Sequence, residues 1–90
     1  MRVGQQVKVK TIISNGYEKI VTADYSKDFK IKELTILSTP NYYNSFYSIL
    51  VEDSMLGWTI NQTHIDYNGI NKKYLGKKFF DVSPDYFVKD

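Results

Sequence analysis

The chain contains no cysteine and a single histidine, His64. Without thiols, no disulfide can brace the fold and no cysteine can act as a nucleophile or a metal ligand. One histidine with scattered carboxylates does not make the tetrahedral ligand set of a zinc site. A glycine-rich loop of the kind that cradles phosphate is also missing. The sequence therefore predicts a protein without a metal or another cofactor.

Long apolar runs are absent as well. The opening residues are polar, and no stretch has the length and hydropathy of a signal peptide or a membrane span. We therefore expect a soluble, cytoplasmic protein that does not associate with membranes. Ninety residues are enough for one domain, and we expect that domain to span residues 1–90.

Alanine occurs once, whereas tyrosine occurs 8 times, phenylalanine 5 times and tryptophan once. Aromatic and β-branched residues favour strands over helices, and rings supply much of the apolar area that a small core needs. Alternating apolar residues and turn signals predict strands at residues 7–14, 17–23, 29–37, 45–52, 58–60 and 77–83, with a short closing strand at 88–89.

The connections between these strands carry their own signals. Asn15-Gly16 is typical of a tight hairpin turn. A slip in the alternation of the third strand predicts a β-bulge near Lys32-Glu33, because one extra residue exchanges the two faces. Residues 61–75 are polar and rich in asparagine, which predicts a mobile loop.

The end of the chain predicts a strand, one tight helical turn and a closing strand. Ser83 is the predicted cap of the turn, and Pro84 suits its first position. Four segments, this one included, are similar in kind and order to those of a known group: Met1-Arg2-Val3-Gly4-Gln5-Gln6-Val7-Lys8-Val9, Tyr47-Ser48-Ile49-Leu50-Val51-Glu52-Asp53, Gly57-Trp58 and Gly76-Lys77-Lys78-Phe79-Phe80-Asp81-Val82-Ser83-Pro84-Asp85. They resemble small, mostly uncharacterised SH3-like barrel proteins of phages and prophages.

This resemblance implies a mainly β fold. It implies a small SH3-like barrel of about five strands, with a single 3-10 turn before the last strand. It also implies that the gene comes from a phage or prophage. The resemblance carries over no binding residues, so function has to be argued from the side chains.

Charge is distributed unevenly along the chain. The overall balance, 12 basic against 10 acidic residues, is too even to indicate a nucleic-acid-binding protein by itself. Residues 33–71, however, contain four carboxylates and no lysine or arginine, and they include many of the tyrosines. We therefore expect one face of the protein to be acidic and aromatic.

Candidate catalytic groups are few. His64 and Asp66 would share a face if they lay on a strand, but no nucleophile motif accompanies them. Carboxylate pairs occur at the predicted ends of strands and at turns, where solvation keeps both members charged: Glu52-Asp53 and Asp81 with Asp85. We therefore predict that the protein is not an enzyme.

Tyr42, Tyr43, Phe46 and Trp58 form an aromatic cluster within the acidic segment. Burial in the core is the default expectation for Trp58 and for part of the cluster. A small barrel nevertheless has little room for so many rings, and exposed tyrosine and tryptophan are favoured anchors for protein partners. We therefore predict a non-enzymatic binding module whose partner is a protein, a host factor if the phage-like origin holds.

A second cluster supports an alternative function. Lys72, Lys73, Lys77 and Lys78 lie close to Tyr74, and lysines beside rings can bind phosphates and stack on bases. The alternative prediction is a nucleic-acid-binding barrel that uses these five residues. Edge strands of so small a sheet can pair between chains, so both a monomer and a homodimer remain open.

Overall fold

A computed structural model describes residues 1–22 and 28–88 of the chain. Nine elements follow one another in it: β1 (Gln6–Ser14), β2 (Tyr17–Val21), β3 (Lys30–Ser38), β4 (Tyr47–Val51), β5 (Trp58–Thr59), helix α1 (Gln62–Asn68), a 3-10 turn at Lys72–Tyr74, β6 (Lys78–Val82) and a second 3-10 turn at Pro84–Tyr86. The expected mainly β fold is confirmed.

The six strands form one curled, antiparallel sheet in the order β2-β1-β3-β4-β6-β5. Its two edges, β2 and β5, approach each other. Leu56 lies two residues before β5, and its backbone N–H donates to the carbonyl oxygen of Glu18 on β2 at 2.8 Å. Phe87, after the second 3-10 turn, forms an antiparallel bridge with Val9 on β1. The sheet is therefore a half-barrel of six strands rather than about five, with two 3-10 turns rather than one.

The hairpin predicted at Asn15-Gly16 is confirmed. Both residues have positive φ, 53° and 83°, as the tight turn between β1 and β2 requires. The predicted second strand reached residue 23, but residues 23–27 lie outside the described part of the chain.

The bulge predicted near Lys32-Glu33 is wrong. Strand β3 pairs with β1 in unbroken register through both residues, and the irregularity lies between Ile36 and Ser38, where β3 pairs with β4. The prediction assumed that Ile31 lies in the core. Ile31 is 47% exposed, so no bulge is needed at Lys32 to place Leu34 and Ile36 in the core. At the observed irregularity Ile36, Leu37 and Ser38 are all buried.

The apolar residues form two clusters on opposite sides of the β4–β6 pair. The inner cluster fills the concave side of the sheet and includes Ile49 and Val51 from β4 and Val82 from β6. The outer cluster contains Phe79 of β6 and is built with three further buried residues, Leu37, Ile60 and Ile70. Strands of this pair are thus apolar on both faces, and each face needs a cover.

The outer cover comes from residues 61–75, and the loop predicted there is wrong. This segment contains α1 and the first 3-10 turn, and Ile70 is only 2% exposed. Asn61 caps α1, because its side chain accepts the N–H of His64 at 3.3 Å while His64 Nδ1 accepts the N–H of Asn61. Gly69, in the left-handed conformation, ends the helix.

The chain end follows the prediction in part. Pro84 opens the second 3-10 turn as expected, but the Ser83 side chain makes no capping hydrogen bond. The turn is instead followed by backbone pairing with β1, where Val88 N–H donates to the Lys8 carbonyl oxygen at 2.8 Å. Residue 89 of the predicted closing strand is outside the described range.

None of the helices in the described residues is long and apolar enough to span a membrane.

One ion network joins β1, β2 and β3 to the residue that follows β4. Lys32 on β3 donates to Glu18 on β2 at 2.8 Å and to Glu52 at the end of β4, and Thr11 donates to Glu18 at 2.7 Å. Burial alone raises the pKa of the Glu18 carboxyl, but the hydrogen bonds from Lys32 and Thr11 and nearby lysine charges outweigh it, so this pKa lies below 4.5. The hydrogen bonds to Glu18 and Glu52 raise the pKa of Lys32 above 10.5 against the opposing effect of burial.

These pKa shifts predict how stability depends on pH. A lowered pKa means that the contribution of Glu18 is present above pH 4.5 and is lost as the pH falls below it. The contribution of Lys32 is present below pH 10.5 and is lost as the pH rises through its raised pKa. Glu18→Gln should therefore be less stable than wild type at pH 7, and this difference should shrink at about pH 3.

The measurement is urea unfolding of both proteins across this pH range. Glu33→Gln removes an exposed carboxylate from the same strand as Lys32 and should follow the wild-type curve. A Glu18→Gln difference that stays constant from neutral to acidic pH contradicts the proposed role of the network.

Strand β5 depends on a close approach at Gly57. A Cβ atom placed there would lie 2.7 Å from the Phe79 carbonyl oxygen and 2.9 Å from Val51 Cγ2. Gly57→Ala should therefore push β5 from β6 and lower the free energy of unfolding by about 1–3 kcal/mol. Ser54→Ala, in the preceding turn, should change it by less than about 0.5 kcal/mol in the same chemical denaturation experiment. Equal stability of the two variants would show that β5 adjusts freely.

Candidate functional site

A surface groove of about 340 Å³ lies on the outer side of the sheet. Its floor comes from β6, and its sides come from β5, from α1 and from the connection between β3 and β4. We call it the aromatic groove and define it by its lining residues: Tyr43, Asn44, Trp58, His64, Asn68, Phe79 and Asp81.

The floor is set by the alternation of β6. Phe79 and Asp81 are two residues apart and therefore point to the same, outer face. Phe79 is buried under Trp58 and His64, whose ring centroids lie 5.8 Å and 4.6 Å from its own. Asp81 lies further along the strand, where this cover ends, and it is only partly buried.

The Asp81 carboxylate is held in place by neutral groups. The Ser48 hydroxyl donates to Asp81 Oδ1 at 2.8 Å from the opposite position on β4, and Asn68 Nδ2 lies 3.4 Å from Ser48 Oγ. Within residues 1–22 and 28–88, no cationic side chain forms an ion pair with Asp81. The groove therefore contains a carboxylate that is oriented but has no counter-charge in this part of the chain.

Trp58 forms one side of the groove and is 54% exposed. Burial in the core, the default expectation for this residue, is therefore wrong. The physical reason is its place on β5, a two-residue strand at the sheet edge. One face of the indole stacks on Phe80, with a centroid distance of 5.3 Å and an angle of 4° between the planes.

Tyr43 stands on the other side of the groove, on a turn that is locked by Asn41. The side-chain oxygen of Asn41 accepts the N–H groups of Tyr43 at 2.8 Å and Asn44 at 2.9 Å. Its Nδ2 donates to the carbonyl oxygen of Tyr67 in α1 at 3.0 Å. The Tyr43 ring packs edge-on against the Tyr67 ring at 5.1 Å. The turn is thus fixed to the helix, so Tyr43 is held beside the groove.

The structure brings together two of the four predicted anchor residues. Tyr43 and Trp58 line the same groove. Tyr42, 94% exposed, packs edge-on against Tyr43 just outside the lining. Phe46 is 45% exposed and does not line the groove.

Sequence reasoning missed the other lining residues. It treated Asp81 as half of a solvated pair with Asp85, although alternation along β6 already places Asp81 on the face of Phe79. Asn44, Asn68 and His64 come from segments without apolar periodicity, so no signal pointed to their position.

His64 and Asp66 do not act as a pair. They lie on a helix, where positions i and i+2 point in different directions. His64 Nδ1 accepts the N–H of Asn61, and the Asp66 carboxylate accepts a hydrogen bond from Gln62 at 2.9 Å. Over residues 1–22 and 28–88, no group of three or more histidine, aspartate or glutamate side chains is placed to hold a metal ion.

The alternative lysine cluster is divided by the fold. Lys72 and Lys73 are exposed on the first 3-10 turn, with Lys73 Nζ 5.1 Å from the centre of the Tyr74 ring. Lys77 and Tyr74 line a different groove of about 530 Å³, together with Lys32 and three carboxylate residues, Glu33, Glu52 and Asp53. Lys78 points elsewhere, since its Nζ donates to the backbone carbonyl oxygens of Asp53 at 3.1 Å and Met55 at 2.6 Å.

No family model, curated protein or solved structure matches the chain. The resemblance to small SH3-like barrel proteins of phages and prophages therefore stays a prediction. Function has to be inferred from the geometry of the groove and the charges around it.

The position of Lys78 yields a direct test of its structural role. Lys78→Met keeps the apolar stem but removes two charge-assisted hydrogen bonds, so unfolding free energy should fall by about 1.5–3 kcal/mol. Lys77→Met, at an exposed position, should change it by less than about 0.5 kcal/mol. Chemical denaturation followed by circular dichroism compares the two. Equal effects would place Lys78 among the exposed lysines after all.

Proposed function

We propose that the protein is a non-enzymatic binding module that engages a protein partner through the aromatic groove. The observation that carries this proposal is the pair of exposed rings, Tyr43 and Trp58, on two sides of one groove. Trp58 is 54% exposed and Tyr43 is 67% exposed, although a folded protein gains by burying such rings. A partner that covers them would bury large apolar area at a small cost in side-chain entropy.

The surroundings of the groove extend this surface. Tyr42 and Tyr67 are 94% and 51% exposed, and their rings continue from Tyr43 in an edge-to-face chain. Contiguous exposed apolar surface is unusual on a monomer and marks interaction sites. The hydrogen bonds of Asn41 fix the turn that carries Tyr42 and Tyr43, which reduces the entropy lost on binding.

Charge supports a protein partner with a basic surface. Among the residues that the structure describes, the groove lining contains Asp81 and no lysine or arginine. Its residues from β5, α1 and the 41–44 turn all belong to the segment 33–71, which has no lysine or arginine. The same charge distribution disfavours a phosphate backbone at this site.

The nucleic-acid alternative has weaker support. It needs several lysines on one surface, but Lys78 is held by backbone carbonyl groups and Lys77 has acidic neighbours.

In our proposal the module acts in the cytoplasm, as a monomer or a homodimer. If the gene comes from a phage or prophage, the partner is a host protein.

A capture experiment with matched variants tests the proposed function. Wild type, Tyr43→Ser and Tyr17→Ser are immobilised and exposed to a lysate of the source organism, and bound proteins are identified by mass spectrometry. Tyr17 is a suitable control because it is also exposed, at 55%, but lies on β2 away from the groove. The partner should bind wild type and Tyr17→Ser, and Tyr43→Ser should bind it about 10-fold more weakly, a loss of about 1.4 kcal/mol.

Affinity for the purified partner is then measured by isothermal titration calorimetry. Equal affinity of Tyr43→Ser and wild type would rule out the groove as the binding surface. Binding of DNA or RNA that weakens steeply with salt and is lost in Lys72→Ala and Lys73→Ala would support the alternative instead.

A further inference from the structure

We infer that the aromatic groove recognises an arginine side chain of the partner protein, with Asp81 as its counter-charge. The inference rests on the proposed function and adds the chemistry of the residue that enters the groove. It is carried by the placement, among exposed rings, of one carboxylate that forms no ion pair with any described residue.

Asp81 carries the first step of the argument. Its carboxylate is partly buried, and the described neighbours that hold it, Ser48 and through it Asn68, are neutral. A charge that is partly withdrawn from water is stabilised by an opposite charge, and the described residues form no ion pair with it. The hydroxyl of Ser48 donates a hydrogen bond to Asp81 Oδ1 but brings no charge. A cationic group in the groove would supply the missing charge.

The rings supply a second attraction for the same group. Trp58 and Tyr43 line the groove together with Asp81, and the faces of aromatic rings attract cations. Tryptophan is the strongest of these acceptors. The charge and the rings therefore select for a positively charged ligand group with an apolar stem.

Arginine fits this combination better than lysine. Its guanidinium is flat, so it can stack on a ring while its N–H groups form two parallel hydrogen bonds with a carboxylate. It is also more weakly hydrated than an ammonium group, which lowers the cost of entering a partly apolar groove. A groove of about 340 Å³ is large enough to take one such side chain.

The segment 33–71, which supplies Tyr43, Trp58 and His64 to the groove, agrees with this assignment. It contains no lysine or arginine that could occupy the groove in place of a ligand and neutralise Asp81. The negative charge of Asp81 would repel phosphates and acidic peptides.

The experiment uses a tripeptide as the probe. Acetyl-Gly-Arg-Gly-amide is added to the ¹⁵N-labelled protein at up to millimolar concentration, and NMR spectra are recorded. Trp58 is the only tryptophan, so its indole N–H gives one assigned signal from a residue that lines the groove. The matched peptides carry lysine, or citrulline, which has nearly the shape of arginine but no charge.

We expect a saturable shift of the Trp58 signal with the arginine peptide, a weaker response with lysine and no saturable response with citrulline. Asp81→Asn keeps an oxygen for the Ser48 hydroxyl but removes the charge, and it should weaken arginine binding at least about 5-fold. Asp85→Asn is the control, because Asp85 is exposed on the second 3-10 turn and does not line the groove. It should bind like wild type.

Three results would overturn the inference: no response to the arginine peptide, equal responses to arginine and citrulline, or wild-type affinity in Asp81→Asn. The spectrum of each variant also shows whether it is folded. A natural partner that needs Tyr43 but not the charge of Asp81 would agree with the proposed function and would rule out arginine as the recognised side chain. Arginine binding at Asp81 with no partner that needs Tyr43 would remove the proposed function alone.

Discussion

The central constraint of this structure is a pair of strands that is apolar on both faces. Ile49 and Val82 point into the half-barrel, whereas Phe79 points outward. Curling of the sheet covers the inner face, but the outer face has to be covered by residues from outside the sheet. The chain between β5 and β6 provides it as α1, the buried Ile70 and a 3-10 turn. The cover stops short of Asp81, and the aromatic groove is the strip of outer face that it leaves open.

Much of the fold follows from local signals in the sequence. Alternation located the strands, Asn15-Gly16 located the hairpin and Pro84 located the last 3-10 turn, because each of these depends on residues that are close in sequence. Helix α1 was missed because it is only seven residues long and lacks an apolar stripe. Its limits were nonetheless marked, by an asparagine cap at Asn61 and a glycine at Gly69.

The groove could be predicted only in part. Tyr43 and Trp58 were selected as candidate anchors from an aromatic cluster in an acidic segment, and both line it. Their proximity depends on the contact between Asn41 and α1, which joins parts of the chain that no local pattern relates. Alternation along β6 gives the face of Asp81, but its lack of a described counter-charge depends on neighbours that β4, β5 and α1 bring together. The contacts between segments that are distant in sequence could not be predicted from local patterns.

The bridge between Val9 and Phe87 joins the first strand to the last described turn. During synthesis on a ribosome, the first half of β1, which β2 does not pair, has no partner on that side until nearly all of these residues have left the exit tunnel. The β1–β2 hairpin, by contrast, needs only neighbouring residues. Assembly of the nascent polypeptide is thus ordered by topology: the hairpin can form at once, whereas closure of the concave side waits for the end of translation of this region.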